Sequence, residues 1–169
     1  MDTLTAINVR RSIRKYTGAA VAEETILRLI RAAMAAPSAG NERPWHFIVI
    51  SERELLDAIP KFHPYAAMLP QASVAILVCG DLTLEKHRGY WVQDCSAAAE
   101  NLLLAAAALG LGAVWTGVYP EEERVSAMRR LLRIPDHVVP LALIPLGYPA
   151  EHPGPVDRFD PGRIHRNGW

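Results

Sequence analysis

Residues Asn101–Gly117 read NLLLAAAALGLGAVWTG, and the way this stretch divides organises the rest of the fold. It belongs to an uncharged run that extends to Pro120. A membrane-spanning helix needs about 20 apolar residues without a break. Here Gly110 and Gly112 interrupt the run, and Gly117 and Pro120 close it. The stretch reads as the end of a buried helix, Tyr90–Leu109, turned by glycines into a buried strand, Ala113–Val118. The helix is apolar on nearly all sides after Glu100, which makes it central to the fold. The G-x-G at 110–112 ends a helix instead of opening one and has no third glycine at dinucleotide-binding spacing. It therefore reads as a tight helix-to-strand turn. Thr116-Gly117 at the strand end differs, because backbone N–H groups there can face a ligand.

Working outward, Ser73–Cys79 is a second buried strand. Val138–Leu146 is a third, and its Pro140 and Pro145 suggest an edge or a bulge. Ala22–Ala36 carries Ile26, Leu27, Leu29, Ile30, Ala33 and Met34 at helical spacing, and Pro37-Ser38-Ala39-Gly40-Asn41 ends that helix in a loop. His46–Ile50 reads as a short strand, with Trp45 in the core. Thr3–Val9, Glu52–Ile59 and Glu121–Leu132 read as shorter helices, and 60–70 is irregular, with three prolines. Helices alternating with strands predict an α/β or α+β domain with helices on a central sheet. Residues 148–169 hold four prolines, Phe159, Trp169 and several cations but no periodic apolar face. Such a tail is either disordered or wraps another surface, a partner subunit being the candidate.

With 169 residues the chain fits one domain, 1–169, able to bury a core. Lys+Arg and Asp+Glu are 18 each, so net charge is zero, which argues against a nucleic-acid binder. Cys79 and Cys95 are too few for a disulfide scaffold and form no CxxC, so a reducing cytoplasm is expected. Met1-Asp2-Thr3-Leu4 lacks the basic-then-apolar pattern of a signal peptide, and no membrane segment is expected. No two of the 6 histidines stand at helical i, i+4 spacing and no HExxH occurs, so no metal site is expected. No G-x-S-x-G is present either, and no catalytic side chain is assigned.

Two segments can carry chemistry. Arg10-Arg11-Ser12-Ile13-Arg14-Lys15 places four cations and a hydroxyl in six residues. It reads either as a phosphate site, since guanidinium forks bind phosphate bidentately, or as a solvated basic face at a helix C-terminus. The loop 37–45 is small and polar and lets backbone approach a planar ligand. It reads equally as a helix-capping turn.

Taken together and in order, these elements resemble the FMN-dependent nitroreductase family, in its short-chain branch. The motifs that carry the likeness are Arg10–Tyr16, Ala36–Asn41 with Pro44-Trp45, Asp94, Leu102–Ala106, Gly110–Gly112, Trp115-Thr116-Gly117, Arg158–Pro161 and Arg163–His165. The resemblance implies an α+β fold around a central mixed β-sheet flanked by helices. It implies a homodimer with FMN at the interface and C-terminal arms (148–169) exchanged between subunits. It implies that Arg10, Ser12 and Arg14 contact the phosphate, ribityl chain and pyrimidine end of FMN, with Arg11 inside the same segment. Pro37, Ser38 and Asn41 would reach the flavin from the partner subunit. Thr116 and Gly117 would lie by the isoalloxazine with a backbone N–H near N5, and Arg158 and Arg163 would be C-terminal phosphate ligands. The implied activity is an NAD(P)H oxidoreductase that reduces nitroaromatics, quinones or a related acceptor by ping-pong hydride transfer on FMN, with no protein acid or base required. A flavin-binding module without turnover, and a specialised flavin dehydrogenase or dehalogenase, share the same residues. An interaction module using the basic runs is disfavoured by the zero net charge. The sequence departs from the family at Arg43, where many members carry Gln, and it lacks the helical insertion of longer members. His63-Pro64-Tyr65 is a candidate lining of the pocket.

Overall fold

The computed structural model describes residues 1–169. Its helices are α1 (Thr3–Val9), α2 (Glu23–Met34), α3 (Arg53–Ala58), α4 (Trp91–Ala108) and α5 (Glu122–Leu132). Its strands are β1 (Trp45–Ile50), β2 (Val74–Asp81), β3 (Gly112–Ala113), β4 (Thr116–Gly117) and β5 (Val138–Gly147). The sheet runs β1-β2-β5, with β3 and β4 placed end to end along the far side of β5. All strand pairs are antiparallel, and the mixed character comes from one parallel bridge, Ser12 to Ala113.

Every residue of β2 and β5 is buried. Unbroken apolar runs of this kind arise when both faces of a sheet are covered. The helix α4 packs on the sheet, α2 and α1 pack on α4, and α5 packs on β5. The alanines of α4 let it lie close to β2 and to α2, and Ala98, Ala99, Leu102 and Ala106 are fully buried there. In α2, Ile26, Leu29 and Ala33 form the inward face at i, i+3, i+7. Its first turn carries Glu23 and Glu24 and its last turn Arg31, both favourable to the helix dipole.

Two expectations about strands change. The stretch 113–118 is two short strands, not one, because Val114 and Trp115 leave the ladder between them. The strand β5 is central, not an edge. Its prolines are tolerated because β3 and β4 pair only with residues 142, 143, 146 and 147, so Pro140 and Pro145 lie outside those rungs. The expected bulge is present: Val78 pairs with Ala142 and Cys79 with Pro140, which leaves Leu141 unpaired on that side. Its carbonyl instead accepts the N–H groups of Val118 and Tyr119.

The turn after α4 depends on glycine twice. Gly110 has φ +76°, a left-handed conformation that terminates the helix. Gly112 lies under Ile13, and a Cβ built there would stand 2.6 Å from Ile13 Cγ2. That contact seats residues 12–13 on β3. Gly112→Ala is expected to cost about 1–3 kcal/mol by forcing the two backbones apart, read as a lower urea midpoint.

Cys79 and Cys95 are free and buried. Burial pushes the Cys79 thiol up to about 12 and raises that of Cys95 as well.

Candidate functional site

The basic segment after α1 runs as an extended strip beside β3 and the start of the C-terminal arm. The Ile13 N–H donates to the Ala113 carbonyl (2.9 Å) and the Thr17 N–H to that of Tyr148 (3.0 Å), while the Ala150 N–H donates to the Lys15 carbonyl (2.9 Å). Ile13 and Tyr16 point into the core, so Ser12, Arg14 and Lys15 are left exposed. The Tyr16 hydroxyl donates to the carbonyl of Ile13 (2.7 Å) and also lies 3.3 Å from that of Pro145. Burial raises its pKa, which keeps it a neutral donor. Glu151 Oε1 accepts the N–H groups of Arg14 (2.6 Å) and Lys15 (3.2 Å). The backbone at Arg14 is therefore fixed on both sides while its guanidinium is free.

Arg14 lines a cleft of about 560 Å³ together with Thr116 and Gly117. Thr116 is buried, and its hydroxyl donates to the Leu143 carbonyl (2.8 Å), which locks the β4 end onto β5. No heavy atom lies within 4 Å of where a Gly117 Cβ would be, so the backbone there is open to an incoming group. Trp115, Val114, Met68, Ala67 and Pro64 supply apolar walls. A planar, partly apolar ligand with an anionic or hydrogen-bonding end fits this combination.

The remaining candidates lie elsewhere in the chain. Arg10 and Arg11 border a separate cleft of about 300 Å³ beside Gly110 and Leu111. Arg10 Nε is 3.4 Å from Glu100 Oε1, and the Arg11 guanidinium donates to the carbonyls of Asn8, Arg10 and Gly154. Arg158 and Arg163 stand exposed on the arm, Arg163 donating to Asp160 Oδ2 (2.9 Å). Neither of them, nor Pro37, Ser38 or Asn41, lines the Arg14 cleft within one chain.

The loop 37–43 is a rigid structure of its own. Gly40, Asn41 and Arg43 have φ of +52°, +55° and +47°. Positive φ at non-glycine residues persists only where surroundings enforce it. The Ser38 hydroxyl oxygen accepts the Arg43 N–H (3.0 Å), and Asp94 Oδ1 on α4 accepts the Ala39 N–H (2.9 Å). Glu42 Oε2 accepts the N–H groups of Lys86 (2.7 Å) and His87 (3.0 Å). Both carboxyls are buried, and Glu42 Oε1 and Asp94 Oδ2 receive no N–H from the chain. The two carboxyls act on each other electrostatically, and neither of these oxygens has a hydrogen-bond partner in the chain. Burial drives Asp94 above its ordinary value, with Glu42 adding to the rise. Burial also acts to raise Glu42, but the N–H groups of Lys86 and His87 and the neighbouring Asp94 outweigh it, so its net shift is downward. Asp94 stood out in the sequence only as one of the motifs carrying the family resemblance. Nothing marked Glu42.

Sequence reasoning also missed Arg124. Its Nη1 donates to the Gly117 carbonyl (3.1 Å), and its Cζ sits 5.2 Å from the centre of the Tyr65 ring, both residues lining the Arg14 cleft. His63 is fully buried behind Tyr65 instead of lining the cleft. Burial, and then the Arg124 charge, lower its pKa and keep it neutral.

The fold and cleft define an α+β protein that offers a planar ligand a cationic strip and an open strand end. Residues 7–67 and 61–148 match the model of the Nitroreductase family, and the chain belongs to that family. It is 62% identical to a Methanothermobacter thermautotrophicus protein provisionally named NADH dehydrogenase/NAD(P)H nitroreductase, over 100% of this chain and 88% of the relative. A crystal structure of a protein of the same provisional name from Parabacteroides distasonis superposes with TM-score 0.95 at 48% identity, covering 99% of this chain and 98% of that one. A Desulfovibrio desulfuricans structure, provisionally a nitroreductase in complex with FMN, superposes with TM-score 0.86 at 32% identity over 100% of this chain and 98% of that one. The family resemblance and fold class read from the sequence are borne out. No helix is long and apolar enough to cross a membrane.

Proposed function

We propose that this protein is an FMN-dependent NAD(P)H oxidoreductase that reduces a small acceptor such as a nitroaromatic or quinone. The observation that carries the reading is the meeting of Arg14, Thr116 and Gly117, distant in sequence, in one cleft of a Nitroreductase-family chain. Relatives named FMN reductase in Bacillus subtilis, at 28% and 26% identity, and the FMN complex above support FMN as the cofactor.

The residues present fit that group. Arg14 offers a fixed backbone and a free guanidinium to its polar end. Gly117 leaves its backbone N–H approachable at the ring, and Trp115, Met68 and Val114 exclude water beside it. Bound FMN would supply hydride acceptance from a nicotinamide and delivery to the acceptor. The chain's part is to bind and orient the partners, so the lack of a side-chain acid or base in the cleft is no obstacle.

In this reading Arg10, Arg11 and Ser12 extend the phosphate and ribityl side of the site. Pro37, Ser38 and Asn41 come from a second subunit, which accounts for a rigid loop remote from the Arg14 cleft of its own chain. The arm 148–169 of the single domain 1–169 crosses to that subunit and brings Arg158 and Arg163. Its exposed Val156, Phe159, Ile164 and Trp169 support this, since they find no core in their own chain.

The test is a titration of the apoprotein with FMN followed by flavin fluorescence. Saturable quenching together with dimeric mass in solution is expected, and no FMN binding would overturn the reading.

A further inference from the structure

Arg124 is not used by the reading above, and its setting is specific. The cleft contains two charged side chains, Arg14 and Arg124, and no carboxylate. Arg124 follows Glu121, Glu122 and Glu123 in sequence, yet no carboxylate oxygen of the chain lies within 4 Å of its guanidinium nitrogens. The nearby imidazole of His63 is neutral and offers no compensating charge.

The guanidinium is nevertheless held in place. The Gly117 carbonyl takes one of its five N–H groups, and the Tyr65 ring lies against it. It is half-buried, and a partly desolvated cation without a counter-charge is costly unless an anion completes it. A fixed fork with spare donors binds an anion without first losing side-chain freedom. The walls beside it, Tyr65, Pro64, Met68 and Trp115, suit a flat apolar body.

We infer that Arg124 is the receptor for an anionic group on the molecule that docks in this cleft, an aromatic or heteroaromatic compound bearing a carboxylate or phosphate. The inference rests on the proposed function in one respect: Arg14 serves the cofactor and leaves Arg124 for the substrate. The anion is either a carboxylate on the acceptor or the 2′-phosphate of the nicotinamide donor.

Isothermal titration calorimetry on the FMN-loaded protein separates these. Benzoate is compared with the uncharged benzamide, and NADP+ with NAD+, in the native protein and in Arg124→Gln and Arg124→Lys. The member of one pair that carries the additional anionic group (benzoate, or NADP+) is expected to bind about tenfold tighter in the native protein, as a charge-assisted fork implies. Arg124→Gln should bring that ratio close to one, and Arg124→Lys should retain part of it. Loss in the benzoate pair assigns the acceptor, and loss in the NADP+ pair assigns the donor. Ratios near one for both pairs in the native protein overturn the inference whether or not the variants fold. A ratio that survives Arg124→Gln overturns it too. Failure of FMN to bind is read separately, by the fluorescence titration, and bears on the proposed function instead.

Discussion

Replacing Asp94 with alanine is expected to lower the unfolding free energy by about 3 kcal/mol, because it leaves the Ala39 N–H without its acceptor and opens a void beside the buried Glu42 carboxylate. Asp94→Asn should restore most of the loss. Its carbonyl can accept from Ala39, and its amide can donate to Glu42 Oε1. The pH dependence is distinctive. Asp94 has a raised pKa in the folded state, so its contribution is complete below its ordinary value of 3.8 and is lost as pH rises through the folded value. Glu42 has a lowered one, so its contribution is present above 4.5 and is lost as pH falls through the folded value. The pair is therefore most stabilising near pH 4, and its contribution declines above that. Urea unfolding of the native protein and Asp94→Asn across pH 4 to 8 checks this. Asp94→Asn should lack the decline that the pair contributes. An identical pH profile in the two proteins would show that Asp94 does not titrate with a raised value in the folded state.

Arg14→Ala is the second large effect. FMN affinity should fall about tenfold to a hundredfold, the range of a charge-assisted hydrogen bond to a phosphate or an electron-rich ring. The fold should not change, because the backbone at Arg14 is held by Glu151 Oε1, and Tyr16 and Ile13 anchor the strip on either side of it. Loss of flavin with an unchanged urea midpoint of the apoprotein is the expected pair of results. Full FMN retention would remove Arg14 from the site.

The parts of the structure legible in the sequence are those with one dominant signal. The helix α4 and the strands β2 and β5 are apolar enough to be recognised, and the glycines at 110 and 112 mark the turn that joins α4 to the sheet. The break between β3 and β4 was not legible, since Val114 and Trp115 are strand-forming residues that leave the ladder because β5 offers Pro145 opposite them. The central position of β5 was hidden for the same reason. A proline usually marks an edge, and here the interrupted neighbour makes it harmless.

In the site, Arg14, Thr116 and Gly117 were legible because each belongs to a motif of small or cationic residues. Arg124 was not. It sits in the first turn of an ordinary amphipathic helix after three glutamates, a pattern that reads as a solvated face. Only the fold brings it to the Gly117 carbonyl. Glu42 was hidden in the same way, since a loop glutamate next to Arg43 gives no sign that α4 and the 86–87 turn will enclose it.

The central claim is that the cleft at Arg14, Thr116 and Gly117 holds a flavin that passes electrons from NAD(P)H to a small acceptor. The most direct measurement is the visible spectrum of the FMN-loaded protein without air, on adding NADPH or NADH and then an acceptor such as a nitroaromatic or a quinone. Bleaching of the flavin band by the nicotinamide and its return on adding the acceptor are the predicted result. A bound flavin that neither nicotinamide bleaches would contradict the account and leave a flavin-binding protein without this turnover.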